Sequence, residues 1–133
     1  MATRHHARMA VVSLLYAFDL GNGNTAEHAN EILEEKKIRN KQKDFALTLY
    51  DGVMEHLEAC DKAIVESLKE WDFERLGTIE RATLRLATYE ILYGELDSAV
   101  VINEAVEITK AFGTEQSPKF INGVLDGISK LKN

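Results

Sequence analysis

Cysteine, proline and tryptophan each occur once in this sequence of 133 residues. A single cysteine, Cys60, excludes an internal disulfide and a cysteine-built zinc site, and it suits a reducing cytoplasm. A single proline argues against a loop-rich β fold and permits long uninterrupted helices. No apolar run reaches the ~18 residues of a membrane span, and Met1–Arg8 lacks the apolar stretch of a secretory signal. A cytoplasmic protein without membrane contact is expected. A global basic excess is absent too: 16 basic residues against 22 acidic ones leave a formal charge of −6. Any nucleic-acid contact must therefore use a local basic patch. What remains, 45% apolar and 29% charged residues, is the composition of one globular domain with a core of its own.

The charges are segregated. Arg4 and Arg8, with His5 and His6, open the chain without an acid, and Lys36, Lys37, Arg39, Lys41 and Lys43 form a second basic run. An acidic middle follows, and then Arg75, Arg81 and Arg85. The bland reading of each cluster is a solvated helix face.

Apolar spacing reads as helix throughout. A first helix covers Arg4–Leu20, so apolar from Met9 to Phe18 that more than one side must be covered. Thr25 is expected to cap a second, to about Lys36; a third runs from about Asn40 to Leu57; Asp61 caps a short fourth. Trp71, Phe73 and Leu76 mark a packed connector. Thr78 caps a fifth helix to about Tyr93, and a sixth starts at Asp97 or Ser98 and ends where Gly113 turns left-handed. Ser117-Pro118 starts the last, with serine as cap. The expected fold is all-α, about seven helices in two packed bundles, one domain over 1–133 with halves of about 1–70 and 71–133.

No reactive constellation stands out. Cys60 has only His56 nearby, His5 and His6 diverge on a helix, and no phosphate loop, nucleophile elbow or HExxH motif occurs. The sequence points away from an enzyme, a metal site or a cofactor. Asn103-Glu104 and Asn122-Gly123 interrupt apolar helices; Gly123 is expected to allow close helix approach and Asn122 to bridge helix ends.

Ile102-Asn103-Glu104-Ala105-Val106-Glu107-Ile108-Thr109-Lys110-Ala111-Phe112-Gly113 resembles the INEAVELAKxFG motif of the NusB family. Lys119-Phe120-Ile121-Asn122-Gly123-Val124-Leu125-Asp126 resembles its KFVNGVLD motif, and Glu80 to Ile91 is similar to its ExAxLRxAxYEL helix. Ala7-Arg8, Ala10-Val11 and Leu15-Tyr16 are similar to its first helix. The chain departs from the family at Leu96-Asp97-Ser98-Ala99, where a proline is usual, and at His5-His6, where arginines are.

The resemblance implies a transcription antitermination factor of ribosomal-RNA synthesis. Such a factor pairs with NusE, a small-subunit ribosomal protein, binds single-stranded boxA RNA, and reaches the RNA polymerase elongation complex through other Nus factors. It implies RNA contacts at Arg4, His5, Arg8, Glu80, Arg81, Phe112, Gln116, Lys119 and Phe120, with Arg4, His5 and Arg8 on the exposed side of the first helix. Tyr16 and Glu80 would meet NusE. Cations for phosphates and rings for splayed bases are what single-strand recognition needs. A homodimer of the free chain would cover the same surface. Two other classes compete: a protein adaptor without RNA affinity, and a detached RNA-binding module of a ribosomal-RNA methyltransferase.

Overall fold

A computed structural model describes residues 3–21, 25–68 and 73–132. They form seven α-helices: α1 (Arg4–Asp19), α2 (Thr25–Glu35), α3 (Lys41–Glu55), α4 (Leu57–Ser67), α5 (Thr78–Tyr93), α6 (Ser98–Phe112) and α7 (Ser117–Leu131). A single 3-10 turn, Phe73–Arg75, precedes α5, and no strand occurs among the described residues. The fold is all-α, as the apolar spacing predicts. Trp71 lies outside the described residues, as do three residues of the break after α1 (22–24).

Two apolar cores organise the molecule. One gathers Val11, Leu14 and Leu15 of α1 with Leu33, Leu49, Tyr50 and Val53. The other gathers Ile64 of α4, Val101 of α6, and Ile121, Leu125 and Ile128 of α7. Helix α5 is the wall between them: Ala82 and Leu86 face the first core, and Leu84, Ala87 and Ile91 face the second. This explains why every residue from Ala82 to Thr88 is buried. Each fully buried Leu or Ile contributes about 1.5–3 kcal/mol. The cores do not part cleanly at residue 70, because α4 gives Ile64 to the second and α5 serves both.

Several caps differ from the spacing-based expectation. Thr3 caps α1, and the His6 side chain bonds back to the Thr3 N–H in a reciprocal capping box. The caps of α5 and α7 are Gly77 and Gln116, one residue before the expected Thr78 and Ser117, and Thr25 is itself helical in α2. Helix α4 starts at Leu57, four residues before Asp61, because α3 and α4 are separated by a single bent residue, His56. Its ring stacks 4.0 Å from that of Tyr93. Gly113 is extended, not left-handed; it is needed because a Cβ there would lie 2.6 Å from Ser117 Oγ. Gly123 brings no helix close, since a Cβ there would meet no described residue within 4 Å, and Asn122 is exposed beside it.

The turn after α2 closes as a Schellman motif. Ile38 N–H bonds Leu33 O at 2.9 Å and Lys37 N–H bonds Glu34 O at 3.0 Å, with Lys37 left-handed at φ 61°. Buried Ile38 pins this turn to the first core.

Candidate nucleic-acid and partner interface

Arginines from α1 and α5 first tie the helices together. Arg8 is only 5% exposed and grips Glu90 with two nitrogens, Nε to Oε2 at 3.0 Å and Nη2 to Oε1 at 2.9 Å. The expectation that Arg8 lies on the exposed side of α1 is therefore overturned: α1 turns this position toward α5. Arg85 donates to both Asp61 oxygens, at 2.8 and 2.9 Å, and to Asp19 at 3.3 Å. Burial disfavours its charge, but the Asp61 and Asp19 carboxylates more than offset that and raise its pKa. Arg81 packs its guanidinium 2.9 Å from Asp19 and 5.3 Å from the centre of the Phe73 ring. Breaking such pairs leaves a buried charge unmatched, so these residues hold α1, α4 and α5 in register.

The remaining predicted residues line a series of recesses. Glu80 sits in the first turn of α5, folds its carboxylate over Gly77, and accepts a short hydrogen bond from Ser117 Oγ of α7. Ser117 in turn accepts the Thr114 N–H at 2.9 Å. Glu80, Gln116, Phe120 and Arg75 thus surround one recess of about 350 Å³. Ile79, next to Glu80, joins Tyr16, Ser13 and Phe112 around a smaller one of about 120 Å³. Tyr16 and Phe112 are 37% and 40% exposed, high for large apolar side chains, while Phe120 is half-buried against the second core. Phe112 and Ser13 also border a third recess, about 370 Å³, toward the α2–α3 turn.

Arg4 is exposed, with its guanidinium 4.5 Å from the centre of the Phe45 ring. His5 meets Glu104 of α6 at 2.7 Å, joining the start of α1 to the sixth helix. Lys119 is exposed, but it opens onto a different groove of about 690 Å³ between α6 and α7, with Asn103 and Asn122. The structure brings Glu80, Gln116 and Phe120 together, and Tyr16 with Phe112. It sets Lys119 apart and commits Arg8 and Arg81 to internal carboxylates. Ser117 and Arg75 also line the Glu80 recess, with no signal in the sequence that places them there. The serine reads as a cap in sequence, and nothing local reveals its bond to Glu80, 37 residues away.

Cys60 is buried, and burial, helped by Asp61, pushes its thiol up to about 12. Burial thus favours the protonated, poorly nucleophilic thiol at neutral pH. No group of three or more metal-ligating side chains occurs among the described residues.

Fold and surface together define a class: a small two-core helical protein that offers exposed rings, recesses and cations along α1, α5, α6 and α7. Residues 5–130 match the model of the NusB family, and the chain belongs to that family. It is 86% identical over 132 residues to the transcription antitermination protein NusB of Sulfurimonas denitrificans, covering 99% of this chain and 100% of that one. Among solved structures it is similar to NusB of T. maritima, with 37% identity and a TM-score of 0.88 over 97% of this chain and 92% of that one. It is likewise similar to a chain in a crystal structure of antitermination factors NusB and NusE in complex with dsRNA. There the identity is 35% and the TM-score 0.87, over 96% of each chain.

Proposed function

We propose that this chain is a non-enzymatic antitermination factor that binds single-stranded boxA-type RNA together with NusE during ribosomal-RNA transcription. Membership of the NusB family over residues 5–130 carries this reading. Supporting the pairing with NusE and with RNA, a similar chain, 35% identical, occurs in a complex of NusB and NusE with dsRNA. The whole of 1–133 works as one binding domain in the cytoplasm, without a cofactor, and the pair joins the RNA polymerase elongation complex through other Nus factors. No described helix is long and apolar enough to cross a membrane.

The residues divide by placement. Arg4, His5 and Lys119 supply surface cations or donors for phosphates; Phe112 and Phe120 supply rings; Gln116, neutral, leaves phosphate unrepelled at the recess rim. Arg8 and Arg81 act by holding α1 against α5. Tyr16 and Glu80 meet NusE, the tyrosine as an aromatic anchor with a polar tip. A homodimer of the free chain would bury this same face.

The test is fluorescence anisotropy of a labelled single-stranded boxA-type RNA with this protein, with NusE and with both, over a salt series and beside a duplex control. Tighter, sequence-selective binding by the pair is expected, with log affinity falling by about 0.7 per phosphate contact for each decade of salt. A stable pair without RNA affinity overturns this reading in favour of the protein adaptor, which the net charge of −6 suits.

A further inference from the structure

The second basic run has no part in the surface described so far, and its members differ sharply. Arg39 and Lys43 both bind Glu34, at 3.2 and 2.5 Å. The Lys43 bond above all, with Arg39 adding to it, holds the Glu34 carboxyl below the usual carboxylate range. Lys36 and Lys37 are exposed, and neither forms an ion pair with a described residue. The Schellman turn fixes their position: Ile38 is buried behind them, and the left-handed Lys37 occupies the position where glycine is commonest.

These two lysines border the recess of about 370 Å³ beside α1. Met9 and Ile38 give it apolar walls, His6 lines one side, and Phe112 presents its half-exposed ring from α6. No acidic side chain lines it among the described residues. Unpaired ammonium groups beside an open aromatic face form the composition that holds a single strand through phosphate and base at once. The volume lies within the range of small-ligand sites. His6 brings the first turn of α1 to the recess, while Arg4 and His5 of the same turn face Phe45 and Glu104.

We propose that this recess takes one nucleotide of the RNA strand, its phosphate on Lys36 and Lys37 and its base against Phe112 and Met9. The inference rests on the RNA-binding reading and extends the strand's path beyond the α1 start to the α2–α3 turn. An acidic segment of the protein partner would meet the same cations. The exposed ring and the carboxylate-free lining favour a nucleotide.

The experiment compares the unaltered chain, the double variant Lys36→Gln/Lys37→Gln and the control Lys41→Gln, each as its preformed complex with NusE. The probe is the labelled single-stranded boxA-type RNA, titrated over a series of salt concentrations. Lys41 is exposed in the same basic run but lies outside the recess. Loss of two phosphate contacts should make the salt slope shallower by about 1.4 and weaken binding about 25-fold at 0.1 M salt, with Lys41→Gln unchanged. Unchanged binding by the double variant overturns the proposal, as does an equal loss per charge at Lys41, which marks a diffuse field. Impaired pairing with NusE, with the RNA affinity of the formed complex intact, assigns the recess to protein and also overturns it. Failure of the unaltered complex to bind RNA removes the broader reading as well, and that result is distinct from each of the others.

Discussion

The cations between the helices and those at the surface teach opposite lessons from similar residues. Arg8, Arg81 and Arg85 lie in or beside the core, each within ion-pair distance of Glu90, Asp19 or Asp61. Arg4, Lys36, Lys37 and Lys119 are exposed, and no ion pair ties them to a described carboxylate. A guanidinium with a bidentate carboxylate has little left for an incoming phosphate, and its removal strands a buried charge. An exposed ammonium gives nothing to the fold when neutralised, and it releases counterions when it meets RNA. Charge alone separates neither group; the carboxylates that decide the matter arrive from other helices.

Arg8→Ala breaks the comparison hardest. It leaves Glu90 buried and unpaired, and the loss of one partner of a buried pair costs about 3–5 kcal/mol. Urea denaturation reads this directly. Arg8→Met combined with Glu90→Leu should recover most of the loss, because an apolar pair of similar volume carries no desolvation cost. If Arg8→Ala were as stable as the parent and lost only RNA affinity, Arg8 would belong with the surface cations after all.

The same contrast explains how far sequence could reach. Helix identity was legible because apolar residues recur at helical spacing, as in Phe120, Ile121, Val124, Leu125 and Ile128 of α7. The long motifs at Ile102–Gly113 and Lys119–Asp126 made the family legible as well. Caps were less so: Thr78 and Ser117 are good capping residues, yet Gly77 and Gln116 hold the cap positions, and the Ser117 hydroxyl is turned to Glu80 and the Thr114 N–H instead. The exposure of Arg8 was misread for a similar reason. Its partner Glu90 lies 82 residues away, and no local spacing announces that contact. The recess that joins Glu80, Gln116 and Phe120 was only half legible, since the motif supplied its residues but not their meeting.

A second pair of variants sharpens the division. Arg81→Gln removes a largely buried cation beside Asp19 and should cost about 1–3 kcal/mol of stability. The salt slope of RNA binding by the folded variant should stay that of the parent. Lys119→Gln should do the reverse, with stability within about 0.5 kcal/mol and a slope shallower by about 0.7. Denaturation and anisotropy together give both numbers for each protein. A shallower slope for Arg81→Gln would mean that its guanidinium leaves Asp19 when RNA arrives.

A last contrast concerns glycine in place of charge, and it carries the comparison of interior and surface to the backbone. Gly52 and Gly123 both sit within helices. A Cβ at Gly52 would lie 2.3 Å from the Tyr89 ring, so Gly52→Ala overpacks α3 against α5 and should cost about 1–3 kcal/mol. A Cβ at Gly123 meets no described residue within 4 Å, so Gly123→Ala should stabilise α7 by about 0.5–1 kcal/mol. Thermal melts of the two variants should therefore move in opposite directions. Gly123 thus forgoes stability that no described residue requires it to forgo, and it lies in the Lys119–Asp126 motif next to Asn122 on the α6–α7 groove. If Gly123→Ala gains stability but weakens RNA binding by the NusE complex, the glycine is kept for close approach of the strand to the α7 backbone. Unchanged binding would confine the strand to the recesses along α1 and α5.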